Sequence, residues 1–221
     1  LPDRLKQPFQ EYVNQHNIPN LLLSGGAGVG KTTVAKAMCN EIGCDFMVIN
    51  GSDESGIDTF RVKIKNYASS MSLSGGRKVI IIDEADNTGN DVQLLLRAFI
   101  EEFGGNCRFI FTCNYKNKII EPLHSRCGVY EFNTSKKQMA QLCSQFMKRL
   151  QTILEKEKVE YNNDVLGGLI MKYAPDWRRI LNEAQRGSIG GTINSSVLVT
   201  DNSQCSDPYG HVKEKDFKKM R

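Results

Sequence analysis

The stretch GGAGVGKT, from Gly25 to Thr32, is the segment whose residue types and spacing most directly suggest chemistry, since it fits the pattern G-x-x-x-x-G-K-[ST]. Glycines let a backbone surround a phosphate with N–H groups that a Cβ atom would obstruct. Lys31 would place its ammonium group on the β- and γ-phosphates of a nucleotide, and Thr32 would offer a hydroxyl to Mg²⁺. A glycine-rich turn between a strand and a helix is the alternative. The residues predicted to bind the nucleotide here are Gly25, Gly26, Ala27, Gly28, Val29, Gly30, Lys31, Thr32 and Thr33.

Two carboxylates end the apolar stretch KVIIIDEAD. Asp83 and Glu84 are predicted to lie at the C-terminal end of a buried strand, where open α/β sheets bind ligands. Asp83 is suited to hold magnesium through water. Glu84 is suited to polarise an attacking water, because a carboxylate can accept its proton. Two acids that merely cap the next helix are the alternative.

Asn114 could take part in the same reaction, and Arg126 is a charged residue whose partner the local sequence does not give. Asn114 ends the strand candidate RFIFTCN, and its amide can donate to a γ-phosphate and accept from an attacking water, although asparagine is also a common turn former. Arg126 lies in LHSRC with no acidic neighbour in sequence. The sequence alone favours a surface arginine paired with a glutamate of its own chain.

Alternating strands and helices are predicted to position these residues. Short β-rich runs (NLLLSG, FMVIN, KVIIID, RFIFTC and GVYEF) alternate with helix-patterned segments such as KTTVAKAMCNEI and DVQLLLRAFIEEF. Strands that are apolar on both faces are typical of a parallel sheet covered by helices, so the predicted fold class is α/β. After about residue 134, apolar positions recur at helical spacing and predict an all-helical second domain.

The overall composition is ordinary for a globular protein of 221 residues. The net charge of +4 permits a nucleic-acid partner without requiring one. The seven cysteines form no C-x-x-C pair and no cluster with histidine, which argues against a disulfide framework or a zinc site and fits a reducing cytosol. No apolar run approaches membrane-spanning length, so we expect no membrane partner and a cytoplasmic location.

Several stretches, in this order, carry a resemblance to a known family: SGGAGVGKTT, NGSDESGIDTFRVKIKNYA, IIIDEAD, RFIFTCNYKNKIIEPLHSRC and PDWRRILNEAQ. From about Leu1 to Arg186 the chain resembles the clamp-loader small subunits of the AAA+ ATPases, such as replication factor C and, still more, its T-even-type phage counterpart. It departs from the family at Gly26 and Ala27, at Val29, and in PDWRR, where replication factor C has Gly-Asp-Met-Arg. These changes leave the phosphate-binding atoms in place.

The resemblance implies a domain organisation and a function. We expect an AAA+ P-loop NTPase domain over residues 1–133, a small helical lid domain over 134–198, and a linker with the start of a truncated collar domain over 199–221. The collar of the family assembles five subunits into a ring, and we expect part of it, and the native N-terminal start, to be missing here. The implied function is an ATPase, stimulated by DNA and clamp, that uses ATP and Mg²⁺ to place a sliding clamp on primer–template DNA. Its expected partners are other loader subunits, the clamp and the DNA, in the bacterial host cytoplasm if the protein is phage-encoded.

The resemblance also implies roles for two arginines. Arg126 corresponds to a finger that reaches the ATP of the neighbouring subunit, an effect worth about 10³–10⁵ in rate in other NTPases. Arg178 corresponds to a second sensor that brings the lid onto the γ-phosphate, and Arg179 is the neighbour with which it could be confused. The residues expected to be catalytic are therefore Glu84, Lys31, Asn114, Arg126 and Arg178.

Arg61 and Lys65 are the DNA candidates. They lie four residues apart on one flank of the helix candidate 56–68, and N–H groups near Ser55 and Gly56 would help them hold phosphates. A solvated helix flank is the alternative.

Contacts with the clamp, and coupling between DNA and ATP, are implied by the resemblance alone. Tyr67, Met71 and Leu73 lead into a glycine-rich loop that would dock on the clamp, with core packing as the rival for Tyr67. Gln93 and Arg97 would couple DNA occupancy to the ATP site, although an ordinary polar helix face explains them too.

Two other functions remain open on the sequence. Another AAA+ motor, such as a branch-migration helicase or a helicase loader, would share the phosphate loop but is not expected to carry NYKNKIIEPLHSRC. A ring subunit that binds nucleotide without turnover is the other alternative, and the intact Lys31, Asp83, Glu84 and Asn114 speak against it.

Overall fold

A parallel sheet forms the centre of the first part of the chain in the computed structural model, which describes residues 1–53, 56–72 and 76–199. Its strands are β1 (Leu21–Ser24), β2 (Phe46–Asn50), β3 (Lys78–Asp83), β4 (Cys107–Cys113) and β5 (Gly128–Glu131). The strand order is β2-β3-β4-β1-β5, and every neighbouring pair is parallel. The predicted parallel sheet is confirmed.

Helices cover both faces of this sheet. They are α1 (Asp3–Asn14), α2 (Lys31–Ile42), α3 (Ile57–Ser69), α4 (Asn90–Glu102) and the short α5 (Glu121–His124). Along β3, Ile80 and Ile82 join the core formed with α3 and α4, whereas Val79 and Ile81 join the core formed with α1 and α2. Because successive side chains of a strand point to opposite faces, a strand covered on both sides must be apolar throughout.

Lys78, at the start of β3, is a buried exception to this pattern, since only 2% of it is exposed. Its ammonium group donates to the carbonyl of Tyr67 at 2.8 Å and to the carbonyl and hydroxyl of Ser70, and it lies 4.8 Å from the centre of the Tyr67 ring. These acceptors lie at the end of α3, where backbone carbonyls lack helical partners. Lys78 therefore ties the end of α3 to the sheet.

The chain divides into two compact units. The first comprises Leu1–Leu142 and Pro175–Trp177, and the second comprises Cys143–Ala174 together with the described part of the chain from Arg178 onward. The division falls inside α6 (Lys136–Lys156) and at the start of α8 (Trp177–Gly187). The predicted boundary between residues 133 and 134 stays a prediction, and of the predicted segment 199–221 everything from Thr200 onward lies outside the described residues.

The second unit consists mainly of helices, as the repeated apolar spacing predicts. Besides the remainders of α6 and α8, it contains α7 (Asn163–Tyr173) and α9 (Ser196–Val199). A short parallel pair, β6 (Glu160–Tyr161) with β7 (Thr192–Ile193), adds to these helices. Across the ranges that the structure describes, no helix is long and apolar enough to cross a membrane.

Candidate functional site

The phosphate loop connects β1 to α2. Gly28 (φ 70°) and Gly30 (φ 96°) have positive φ angles, which residues with a Cβ atom rarely adopt. At Gly25, a Cβ atom would lie 2.8 Å from the Cβ of Phe132, so a larger residue would clash. The glycines thus allow the chain to turn directly from β1 into α2, and Thr33 is exposed in the first turn of that helix.

Lys31 lies at the start of α2 and connects the phosphate loop to Asn114, just after β4. Its ammonium group donates to the carbonyls of Gly25 and Gly26, each at 2.8 Å, and to Oδ1 of Asn114 at 2.9 Å. Asn114 directly follows β4, the neighbour of β1 in the sheet. The lysine and the amide that the sequence assigns to the same phosphate group are therefore adjacent.

Thr32 and Asp83 are also in direct contact. The Thr32 hydroxyl donates to Oδ1 of Asp83 at 2.7 Å, and the hydroxyl of Thr112 donates to the same oxygen at 2.5 Å. Hydroxyl and carboxylate oxygens suit Mg²⁺, which usually binds through one or two protein carboxylates together with waters and phosphate oxygens. The donor set of Thr32 and Asp83 fits the predicted metal site.

Glu84 has a left-handed backbone, with φ 53°. Such a conformation is strained for a residue with a Cβ atom and is found mainly where the surrounding structure enforces it, often at functional sites. Its Oε2 accepts from the hydroxyl of Ser52 and from Nδ2 of Asn87 at 3.1 Å, and its backbone N–H donates to the Thr112 hydroxyl at 3.1 Å. The carboxylate of the predicted base is therefore held by two polar side chains.

Asp86 is a residue of this site that the sequence reasoning missed. It is buried, and its Oδ2 accepts from the backbone N–H groups of Asn114 and Tyr115, both at 3.1 Å. Asp86 therefore fixes the backbone that carries the Asn114 amide. The signal was available as the last acid of the IIIDEAD stretch, and Thr112 was likewise visible as the polar residue within RFIFTC.

Arg126 follows α5, and its guanidinium group is paired within the chain. Nε and Nη2 donate to Oε1 of Glu101, at 2.9 and 2.5 Å, and Nη1 donates to the carbonyl of Pro122 at 2.9 Å. The ion pair with a glutamate of the same chain, which is the alternative interpretation of Arg126, is thus present. A role in a neighbouring subunit stays a prediction.

Gln93, on α4, lies inside the protein with 1% exposure. Its Nε2 donates to the carbonyls of Thr88 at 3.2 Å and Lys118 at 3.1 Å, and its Oε1 accepts from the N–H of Ile120 at 2.9 Å. This side chain therefore joins the turn after the acidic pair to the segment that leads into α5. An ordinary polar helix face does not account for a buried glutamine with three hydrogen bonds to the backbone.

Arg97 lies one turn further along α4 and is half-buried. Its Nε is buried and has no hydrogen-bond partner among the residues that the structure describes. A buried charged donor without a partner is unusual in a native protein. The coupling role predicted for Arg97 stays a prediction.

Arg61 and Lys65 both lie on the exposed side of α3, as the helical spacing predicts. Phe60 and Ile64 form the buried side, each with 0% exposure. Arg61 pairs with Asp58 through Nη1 and Oδ1 at 2.9 Å. Both residues are accessible to a polyanion, and their role in DNA binding stays a prediction.

The predicted clamp residues differ in their surroundings. Tyr67 packs against the core, its hydroxyl is buried, and burial raises the pKa of that hydroxyl. This environment favours the core-packing alternative for Tyr67. Met71 is 92% exposed, an unusual position for a large apolar side chain, and Leu73 lies outside the described residues. Clamp binding by these residues stays a prediction.

Arg178 and Arg179 lie side by side on α8 in the second unit, and both are exposed. Arg179 stacks its guanidinium group 4.3 Å from the centre of the Tyr173 ring. This cation–π contact gives Arg179 a structural role within its own unit. The assignment of the sensor to Arg178 stays a prediction.

Comparisons with known proteins agree on the family. The model of the ATPase family associated with various cellular activities (AAA) matches residues 21–135. The sliding-clamp-loader large subunit of Escherichia phage RB69 is 37% identical, over 100% of this chain and 71% of the relative. The replication factor C small subunit of Archaeoglobus fulgidus is 38% identical, over 89% of this chain and 62% of the relative. The chain thus spans less than two thirds of the archaeal relative.

The fold is also similar to that of a solved structure. The RuvB Holliday junction branch migration motor of Thermotoga maritima matches with a TM-score of 0.66 and 18% sequence identity. The match covers 89% of this chain and 65% of that chain. At this level of identity, the likeness supports the fold alone.

Proposed function

The chain belongs to the clamp-loader subunits of the AAA family of ATPases, and from this premise we propose that it helps to open a sliding clamp and to place it on primer–template DNA, with ATP hydrolysed at the contacts between subunits. The observation that carries the proposal is the group of contacts around the phosphate loop. Lys31 meets Asn114, and Thr32 meets Asp83, through direct hydrogen bonds. These are the groups that a loader needs on one nucleotide.

The chemical step uses residues of this chain in distinct roles. When ATP binds, the Lys31 ammonium group exchanges the carbonyls of Gly25 and Gly26 for phosphate oxygens. Thr32 and Asp83 would hold Mg²⁺, and the ion would supply positive charge that neutralises the phosphate oxygens. Glu84 accepts a proton from the attacking water, and Asn114 positions that water against the γ-phosphate.

The arginines would make hydrolysis depend on assembly. Arg126 of one subunit would donate to the γ-phosphate bound by its neighbour, where a guanidinium neutralises charge that develops in the transition state. Arg178 would close the lid on the same phosphate. A ligand shifts a conformational equilibrium only through its different affinities for the two states, so ATP must contact elements that move, and these two arginines would be such elements.

Exposed residues of α3 and of the segment after it would meet the other partners. Arg61 and Lys65 would contact DNA phosphates, which suits a protein that must act at any sequence. Met71 and, by the resemblance, Leu73 would dock on the clamp. Met71 is supported by its 92% exposure, whereas the packing of Tyr67 favours a role in the core.

The first experiment is the ATPase rate of the full-length complex with and without primer–template and clamp. We expect each addition to raise the rate, and the two together to raise it most. A matched complex with Arg61→Ala and Lys65→Ala should keep the basal rate and lose part of the response to DNA, because the variants remove phosphate contacts and leave the nucleotide site intact. A rate indifferent to both clamp and DNA would rule out the loader function and leave a generic ATPase.

A further inference from the structure

Glu101 is the side chain that holds the guanidinium group of Arg126. It lies at the end of α4, and its Oε1 accepts from Nε at 2.9 Å and from Nη2 at 2.5 Å. On the other side, Nη1 donates to the carbonyl of Pro122 at 2.9 Å and to the hydroxyl of Ser125 at 3.3 Å. The guanidinium group is therefore held between the end of α4 and α5.

These contacts fix the plane of the guanidinium group. A guanidinium has five N–H donors in a rigid fork. Glu101 occupies the edge formed by Nε and Nη2, and Pro122 and Ser125 occupy Nη1. One Nη2 donor is left over from this arrangement. An arginine side chain without such contacts has many rotamers. The entropy lost when it is restricted to one rotamer would oppose its precise placement in a neighbouring site.

The contact orients the arginine without cancelling its charge. The side chain of Glu101 is 56% exposed and that of Arg126 is 31% exposed, so water screens the pair. The Arg126 guanidinium, through its hydrogen bond and its charge, keeps the pKa of Glu101 below its usual range, and the carboxylate is therefore ionised at neutral pH. An exposed ion pair of this kind is easily exchanged in part for a phosphate.

We propose that Glu101 is a positioning residue for Arg126, which it holds in one orientation so that contact between subunits presents the guanidinium directly to the neighbour's γ-phosphate. This inference rests on the proposed function, because it requires Arg126 to act on the nucleotide of another subunit. Glu101 is assigned no contact with the nucleotide or with the attacking water, so its role is one of positioning and not of catalysis. Glu101 has an effect only when Arg126 stabilises the transition state. Its loss should therefore lower kcat and leave ATP binding unchanged.

The test measures steady-state ATPase of the assembled full-length complex with clamp and primer–template. Glu101→Ala should lower kcat about tenfold and leave the KM for ATP within about twofold, because misplacement of a transition-state contact affects the chemical step. Glu101→Gln keeps one acceptor oxygen and should lose less. Glu102→Gln is the matched control, since Glu102 is the next residue, is also exposed, and makes none of the contacts to Arg126. It should stay at the wild-type rate.

A double-mutant comparison separates positioning from a general structural effect. If Glu101 acts through Arg126, Glu101→Ala should have no further effect in a complex that already carries Arg126→Ala. The inference is overturned if Arg126→Ala lowers kcat and Glu101→Ala leaves it unchanged or raises it. If Arg126→Ala itself leaves kcat unchanged, the arginine does not act between subunits, and that part of the proposed function fails first.

Discussion

Glu84 illustrates which features of single residues can be predicted from sequence. The local pattern KVIIIDEAD predicts that Glu84 follows a buried strand, and the pattern GGAGVGKT predicts the phosphate loop. Both can be predicted because each is a short, continuous stretch. The hydroxyl of Ser52, which donates to the Glu84 carboxylate, lies 32 residues away in sequence. That contact depends on the pairing of β2 with β3, which no local pattern specifies.

Glu84→Gln should abolish turnover and leave ATP binding intact. Glutamine has nearly the same shape but cannot accept the proton of the attacking water, and the loss of a general base typically costs about 10²–10⁴ in rate. ATP hydrolysis and the binding of a fluorescent nucleotide are measured on the same preparation. Turnover close to the wild-type rate would show that Glu84 is not the base.

Cys127 and Cys44 should differ in their reactivity with alkylating reagents. Burial raises the pKa of Cys127 to about 12, so at pH 7 to 9 it stays a neutral, unreactive thiol. A hydrogen bond from Cys39 lowers the pKa of Cys44 and favours its thiolate. Peptide mass spectrometry after brief alkylation should find Cys44 modified first, with Cys127 following only toward strongly alkaline pH. Equal rates for the two thiols would contradict this difference.

At the level of elements, α4 connects the two halves of the predicted chemistry. Gln93, Arg97 and Glu101 are spaced by four residues and so share one side of the helix. Gln93 bonds the backbone of Lys118 and Ile120, in the segment that leads into α5, and Glu101 holds Arg126. The sequence predicts the helix and two of these residues. It does not predict that Gln93 is buried, because this depends on how the segment 116–120 crosses α4.

Gln93→Leu should destabilise the protein by more than about 2 kcal/mol, because two carbonyls and one N–H lose a buried hydrogen-bond partner. Urea unfolding followed by circular dichroism measures the change. Leu94→Gln is the matched control, since Leu94 is the next residue and is 48% exposed. It should change the free energy of unfolding by less than about 0.5 kcal/mol. A neutral Gln93→Leu would mean that its three bonds contribute little.

At the level of the whole molecule, the sequence predicts two parts of different character but not their limits. The sheet can be predicted because its strands are buried on both faces. Such strands must be apolar throughout, and they are visible in the sequence as continuous apolar runs. The limits of the two compact units fall within α6 and at the start of α8, where the helical pattern continues without interruption. A boundary of this kind depends on which contacts each helical turn makes, and periodicity carries no information about that.

Complementation between subunits tests the assembly directly. A complex made only of Glu84→Gln subunits and one made only of Arg126→Ala subunits should both be inactive. Mixed complexes should regain activity, because an Arg126→Ala subunit still supplies Glu84 and its neighbour still supplies Arg126. The ATPase rate is measured across mixing ratios. A mixture no more active than the two pure complexes would mean that the two groups serve the same chain.

The buried ammonium group of Lys78 has a practical consequence. Amine-acylating reagents modify the exposed lysines of a folded protein, but they can reach this one only when the end of α3 separates from the sheet. The rate of acylation at Lys78 therefore reports how often the end of α3 separates from the sheet. If binding of a clamp stabilises the end of α3, the rate of acylation at Lys78 should fall. Clamp binding could then be followed at a single lysine without any label on the partner.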